Sequence, residues 1–175
     1  KWRDFYFRIA DEAPVDRVVI GETVCSKRVH FMEPHLAEVI ERLSAAGKEI
    51  VLSTLALVTL DREAQYVRGM AQQDDFMVEA NDLSGLHLLS GKTHTIGPLV
   101  NVYNGATVRL LANRGAKSIC LPPELPAHSV SEILSATPGA DIEIFAFGRI
   151  PLAISARCAH ARAKGNIKDN CKFVC

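Results

Sequence analysis

Short apolar runs alternate along this chain with longer stretches in which apolar residues recur every three or four positions. The runs at 18–20, 50–53, 76–78, 95–100, 118–121 and 142–147 predict six strands, and the stretches between them predict amphipathic helices. The clearest helix follows Glu33-Pro34, where a proline fits the first helical turn because its missing amide would have no partner there. Leu36, Val39, Ile40 and Leu43 then form one stripe, and Gly47 supplies the stop. A second helix is predicted over 61–70, with Ala64, Val67 and Met70 on one side. A third is predicted over 103–114, with Ala106, Leu110 and Leu111 on one face and Gly115 at its end. A fourth is expected to start at Ser129, which can form a capping box with Glu132 ahead of Ile133 and Leu134. The stretch 83–89 is too short to assign.

Strands that begin roughly 20–30 residues apart with helices between them predict an α/β fold with parallel strands. Periodicity alone fits either a doubly wound sheet or part of a barrel. Two features favour a partial or incomplete (β/α) TIM-like barrel. No glycine-rich nucleotide loop follows the first strand, and polar residues recur just past the strands: Glu22, Thr54, Glu79, Asn101, Pro122 with Glu124, and Gly148 with Arg149. The rhythm breaks near Gly148, so the expected organisation is an incomplete β/α barrel over 1–147 and a cysteine-containing cluster-binding segment over 148–175.

Composition sets the class. With 175 residues, 48% hydrophobic and 23% charged, the chain can bury a substantial core without disulfides. Its 20 Lys plus Arg balance 20 Asp plus Glu, so no global positive field supports a nucleic-acid partner, and none is expected. Residues 1–16 lack the order of a secretory signal, and no apolar run reaches membrane-spanning length. The expected compartment is the cytoplasm, where five cysteines read as metal ligands or thiols rather than as a disulfide framework.

Cys171 and Cys175 form a C-x3-C pair, and Cys158 lies twelve intervening residues upstream across a polar segment that can loop out. Cys25 is distant in sequence. In a parallel barrel its loop, which follows the first strand, opens on the same face as the segment after the last, so the four sulfurs can converge. Four thiolates suit zinc or an iron-sulfur cluster. Structural zinc sites usually supply two close pairs, whereas a 4Fe-4S cluster accepts more widely spaced ligands. Arg157, Arg162, Lys164, Lys168 and Lys172 around these cysteines, against Asp169 alone, would offset thiolate charge, although a solvated basic tail has the same composition. Cys120 ends an apolar run and reads as a buried small hydrophobe.

Among other side chains, Glu22, Glu79 and Glu143 fall in or just past strands, where a carboxylate can face a barrel interior or simply pair with an arginine. His94 is the best acid-base candidate by chemistry, and Asn81, Asp82, Asn101 and Asn104 could line the same mouth. Arg149 and Arg157 flank an apolar stretch that leads to Cys158 and could hold an anionic group. Ser53 and Thr54 read as strand-ending or capping residues. His30, His35, His87, His128 and His160 read as surface or loop histidines. No HExxH or GxSxG motif is present, and Cys25 has no identifiable histidine partner, so proteolysis finds little support.

Three segments together carry a resemblance: Gly21-Glu22-Thr23-Val24-Cys25-Ser26-Lys27-Arg28, the apolar segment 50–58, and the segment 145–158 that leads into C-x12-C-x3-C. They resemble the collagenase-like peptidase family U32, in particular its branch in oxygen-independent ubiquinone biosynthesis. The resemblance implies a 4Fe-4S cluster on Cys25, Cys158, Cys171 and Cys175. It also implies a heterodimer with a paralogous U protein, a lipid-carrier protein that delivers an isoprenoid substrate, and hydroxylation of the aromatic ring of a ubiquinone precursor without molecular oxygen. Relatives in the wider family are associated with RNA base hydroxylation. Members of the branch have a strand before the first one here and further strands after the cysteines, so the resemblance implies a chain shortened at both ends.

Overall fold

The computed structural model describes residues 1–136 and 139–175. Six strands, β1 (Arg17–Gly21), β2 (Glu49–Ser53), β3 (Met77–Ala80), β4 (His94–Ile96), β5 (Ala116–Leu121) and β6 (Asp141–Ile144), form one parallel sheet in the order of the chain. A doubly wound sheet reverses its strand order at a switch point, and this sheet does not. Its sequential order is that of a β/α barrel, here an open half-barrel.

The curvature is visible in a single ion pair. In a flat sheet, β1 and β6 would stand about 24 Å apart, five spacings of about 4.8 Å. Instead Arg17 Nη1 of β1 meets Glu143 Oε1 of β6 at 2.8 Å, while Arg17 Nε holds Glu49 Oε2 of β2, also at 2.8 Å. The sheet therefore bends until its outer strands are within reach of one side chain.

The connecting helices are α1 (Trp2–Glu12), α2 (Val29–Met32), α3 (Leu36–Ala45), α4 (Asp61–Gln72), α5 (Leu83–Leu89), α6 (Gly105–Ala112), α7 (Ala127–Ala136) and α8 (Ala159–Ala163). Strand residues alternate strictly. Val18 and Ile20 with Ile50 pack beneath α1 and α3, and Val78, Ala80, Ile96, Ile119 and Leu121 pack beneath α5, α6 and α7. By the strand register, the opposite and concave face carries Val19, Val51, Ser53, Glu79, Thr95, Ser118, Cys120 and Glu143. One face is thus an apolar core and the other a largely polar lumen. A register shift at His94/Thr95 against β5 keeps Thr95 opposite Ser118 on the lumen side.

Several elements differ from the sequence reading. The opening helix α1 is absent from that reading because 1–16 mixes charges with aromatics; Trp2, Tyr6, Phe7 and Ile9 nevertheless pack on the β1–α3 core. The strand expected over 95–100 ends at Ile96, because Gly97 and Pro98 turn the chain into a 3-10 turn over Pro98–Val100. The third helix starts at Gly105 rather than 103, where Asn104 Oδ1 accepts from Thr107 N–H at 2.9 Å. The fourth starts at Ala127 rather than Ser129, directly after Pro126, so Ser129 lies within its first turn and is not the cap. The unassigned stretch 83–89 is the helix α5, capped by Asp82, whose side chain accepts from Ser84 and Gly85 N–H.

Candidate cluster site at the carboxyl edge of the sheet

The Cys25 loop leaves β1 through Gly21, whose φ of +144° suits only glycine and whose added Cβ would lie 2.6 Å from Ser53 O. Glu22 then folds back over the loop. Its Oε1 accepts from Val24 N–H at 2.9 Å and Cys25 N–H at 2.8 Å, and it pairs with Arg28 Nη2 at 2.7 Å. One carboxylate therefore satisfies two loop amides and neutralises the cation of the following turn. The Glu22 hydrogen bond is the main reason the Arg28 guanidinium holds its proton even more tightly than usual. Burial opposes this, and Cys175 and Cys25 add to it.

Next to Cys25, Ser26 Oγ donates to Glu63 Oε1 at 2.5 Å. The other oxygen of Glu63 accepts from Thr59 N–H, Thr59 Oγ1–H and Leu60 N–H, satisfying free donors at the start of α4. The loop is thereby tied to a second β/α unit through a buried carboxylate.

The carboxy-terminal segment is clasped from both sides. Cys158 precedes α8 at φ +43°, with its Sγ accepting from Ala161 N–H at 3.5 Å. Lys27 Nζ donates to Lys168 O at 2.5 Å, and His160 Nε2 lies 3.2 Å from Val174 O. Between Cys171 and Cys175, Lys172 and Phe173 both have positive φ, +51° and +50°. For a side chain as bulky as phenylalanine this is an unusual backbone, held here by ring contacts to Phe31 at 4.8 Å and His30 at 5.3 Å. Backbone of this kind persists only where surrounding contacts over-determine it, and it concentrates at functional sites.

These features meet at one cavity of about 200 Å³, which Cys25, Cys158, Cys171 and Cys175 all line, together with Val24 and Arg28. Among the described residues, no group of three or more histidine, cysteine or acidic side chains is drawn into a single-ion site. The donor set suits an anionic, multi-centre group. Four cysteines, a soft donor set, line the cavity, and among the described residues the buried Nε of Arg28 has no hydrogen-bond partner.

The other candidates separate clearly. Cys120 lies outside the cavity on the lumen face, half-buried and paired in register with Glu143. Burial, followed by Glu143 and Glu79, pushes its thiol up to about 12. Glu22 and Glu143 are each paired with an arginine, whereas among the described residues Glu79 has no ion-pair partner. His94 begins β4 at the opposite, amino-terminal edge of the sheet. It is buried with Nδ1 2.9 Å from Lys92 O, so it does not line the mouth. Asp82 and Asn104 are spent as helix caps, and Asn101 is an exposed left-handed residue at the end of a 3-10 turn. Arg149 and Arg157 are exposed.

The sequence reading missed the role of Ser53 and Thr54. Both are buried: Thr54 Oγ1 accepts from Asn81 N–H at 3.0 Å, and Ser53 Oγ bridges Thr23, Glu79 and Asn81. The available signal was register, since Gly21, Ser53 and Glu79 stand side by side on adjacent strands.

With this geometry in place, comparison with known families is decisive. The model of peptidase family U32 matches residues 5–175. The chain belongs to that family. No solved structure matches it. As a U32 domain its half-barrel places the Cys25 loop and the 158–175 segment at the same edge, and among the described residues no helix is long and apolar enough to cross a membrane.

Proposed function

We propose that this U32 domain is the iron-sulfur component of an oxygen-independent hydroxylase complex acting on the aromatic ring of a ubiquinone precursor. The observation that carries the reading is the convergence of Cys25, Cys158, Cys171 and Cys175 on one cavity from opposite ends of the chain. The proposed ligands of a 4Fe-4S cluster are these four cysteines. The ring-hydroxylating role comes from the resemblance of the 21–28 and 145–158 segments to the V protein of oxygen-independent ubiquinone biosynthesis. In that role the chain would pair with a paralogous U protein and meet a lipid-carrier protein that presents the isoprenoid substrate.

When bound, the cluster would supply one-electron chemistry. The protein's own share is positional. Glu22 fixes the Cys25 amide, Phe31 and His30 fix the turn between Cys171 and Cys175, and Arg28 offers a donor and a positive charge to the cavity. Offsetting thiolate charge in this way favours the ionised ligands.

A second reading, a non-catalytic partner whose cluster organises a paralogous catalytic subunit, draws on the lining of the cysteine cavity, where among the described residues the cysteines are joined by Lys27, Arg28, His160 and Lys168 but by no carboxylate. The two readings part on Cys171→Ser in the anaerobic complex. A component of the reaction retains complex formation and loses hydroxylation, whereas an organising partner loses both together. Hydroxylation at the wild-type rate by the Cys171→Ser complex would exclude both.

A further inference from the structure

The cavity that the four cysteines line also contains an unspent donor. Among the described residues three buried side-chain polar atoms have no hydrogen-bond partner: Arg28 Nε, Asn81 Oδ1 and His94 Nε2. Of these three residues only Arg28 lines the cysteine cavity. Two other basic residues of the same lining are committed elsewhere. Lys27 Nζ donates to Lys168 O at 2.5 Å and pairs with Asp169 at 3.6 Å, and His160 Nε2 lies 3.2 Å from Val174 O. A buried donor without a partner costs stability, and an acceptor that filled the cavity would remove that cost.

The direction of this donor is set by its neighbours. Arg28 Nη2 donates to Glu22 Oε1 at 2.7 Å, and the same oxygen accepts from Cys25 N–H at 2.8 Å. A guanidinium is planar and carries its donors in fixed directions, so holding Nη2 on Glu22 also fixes where Nε–H points. A lysine ammonium, whose three donors rotate about one atom, would not be held in this way. The acceptor that four thiolates bring with them is sulfur. A thiolate-ligated cluster gains negative charge on reduction, so a cationic N–H donated to one of its sulfurs stabilises the reduced state more than the oxidised one.

We propose that Arg28, held by Glu22, is the residue that tunes the reduction potential of the group in this cavity: its Nε–H donates a hydrogen bond to a cluster sulfur and raises the potential. The inference rests on the cluster reading of the cysteine cavity and assigns to one side chain a role that the reading itself does not require. Glu22 acts on the potential in the opposite sense. Its carboxylate positions Arg28 and at the same time offsets part of the positive charge beside the cysteines. Both effects depend on the Cys25 loop, because one Glu22 oxygen carries the cysteine amide and the arginine together.

The test is a redox titration of the anaerobically purified full chain, followed by EPR, with iron and acid-labile sulfide counted on every sample. It compares wild type, Arg28→Lys, Glu22→Gln and the double variant Glu22→Gln with Arg28→Met. Arg28→Lys keeps the charge and loses the directed Nε–H. Poised at the wild-type midpoint, it is expected to hold about tenfold less reduced relative to oxidised cluster, a downward shift of about 59 mV for one electron. Glu22→Gln removes a negative charge, keeps an acceptor oxygen and shifts the midpoint up. The double variant removes the whole ion pair, so its local net charge equals that of wild type, and its midpoint still falls below wild type because the hydrogen bond is gone. A second readout is pulsed EPR of the reduced cluster in protein labelled with nitrogen-15 at arginine Nε, which is expected to show a nitrogen coupling that Arg28→Lys lacks. An unchanged or raised midpoint in Arg28→Lys, a double variant that matches wild type, or no arginine nitrogen coupling, with iron and sulfide present, overturns this inference and leaves the cluster reading standing. If the variants hold no cluster, the labelled wild type decides it alone. Wild type without iron and sulfide overturns the cluster reading and this inference with it.

Discussion

Glu22 Oε1 accepts the backbone N–H of Cys25 at 2.8 Å, so the conformation of the first cysteine loop is set by a side chain three residues upstream. The same oxygen carries Arg28, and the Glu22 side chain is only 12% exposed. Glu22→Ala should therefore free two loop amides and leave Arg28 without its counter-charge. The expected cost is about 1–3 kcal/mol of stability together with faster loss of iron on dilution. Glu22→Gln should fall between, since its amide oxygen still accepts from Cys25 N–H but no longer neutralises Arg28. Urea denaturation and iron retention measured on the same three proteins check both.

Cys120 should behave differently from the other four cysteines. Its thiol, pushed up to about 12 and set in the lumen, stays protonated near neutrality. Alkylation by iodoacetamide, which requires thiolate, should reach it last in the folded protein. Cys120→Ala should leave iron content unchanged, whereas Ala at Cys25, Cys158, Cys171 or Cys175 should lower it. Peptide mapping after timed alkylation gives the first result and iron analysis of the five variants the second.

How far this was legible from the sequence varied with range. The six strands could be read because each includes or adjoins a short apolar stretch, and the helix ahead of Gly47 because Leu36, Val39, Ile40 and Leu43 keep a helical spacing. Helix α1 could not: its buried side consists of Trp2, Tyr6, Phe7 and Ile9 dispersed among charges, and only the tertiary contact with α3 reveals it. The convergence of Cys25 with Cys158, Cys171 and Cys175 followed from parallel topology, which puts every strand-to-helix loop on one edge. The Ser53–Glu79–Asn81 cluster did not follow, because it depends on which residues of β2 and β3 stand in register, and an apolar run does not encode register. His94 misled for a related reason. Its chemistry suits catalysis, but its place at the start of β4 carries it to the far edge.

The buried carboxyl of Glu63 and the partly buried one of Glu79 should bend the pH dependence of stability in opposite directions. The folded-state pKa of Glu79 is raised, chiefly by burial, so its contribution is full below the ordinary carboxylate value and fades as pH rises through the folded value. For Glu63, burial acts upward but hydrogen bonds from Ser26, Thr59 and Leu60 outweigh it and lower the pKa. Its contribution is full above the ordinary value and is lost as pH falls through the lowered one. Urea midpoints measured across pH should show Glu79→Gln flattening the decline on the alkaline side of the carboxylate range and Glu63→Gln flattening the decline on the acid side.

Arg17 joins β1 to β6 through Glu143 and to β2 through Glu49, which makes it the tie across the lumen floor. Both ends of the Arg17–Glu143 pair remain partly solvated, so a double-mutant cycle with Arg17→Met and Glu143→Gln should give a modest coupling of about 0.5–1 kcal/mol that shrinks in high salt. A coupling near zero at low salt would place the curvature of the sheet entirely in its backbone and helix packing.

The central claim is that four cysteines at one edge of this half-barrel hold an iron-sulfur cluster. It is tested most directly by anaerobic purification, with iron, acid-labile sulfide and zinc counted per chain and the visible spectrum recorded before and after exposure to air. A 4Fe-4S cluster on these ligands gives about four irons and about four sulfides per chain, a spectrum bleached by air, and loss of both elements in Cys171→Ala but not in Cys120→Ala. Stoichiometric zinc without sulfide, or iron and sulfide unaffected by Cys171→Ala, would contradict it.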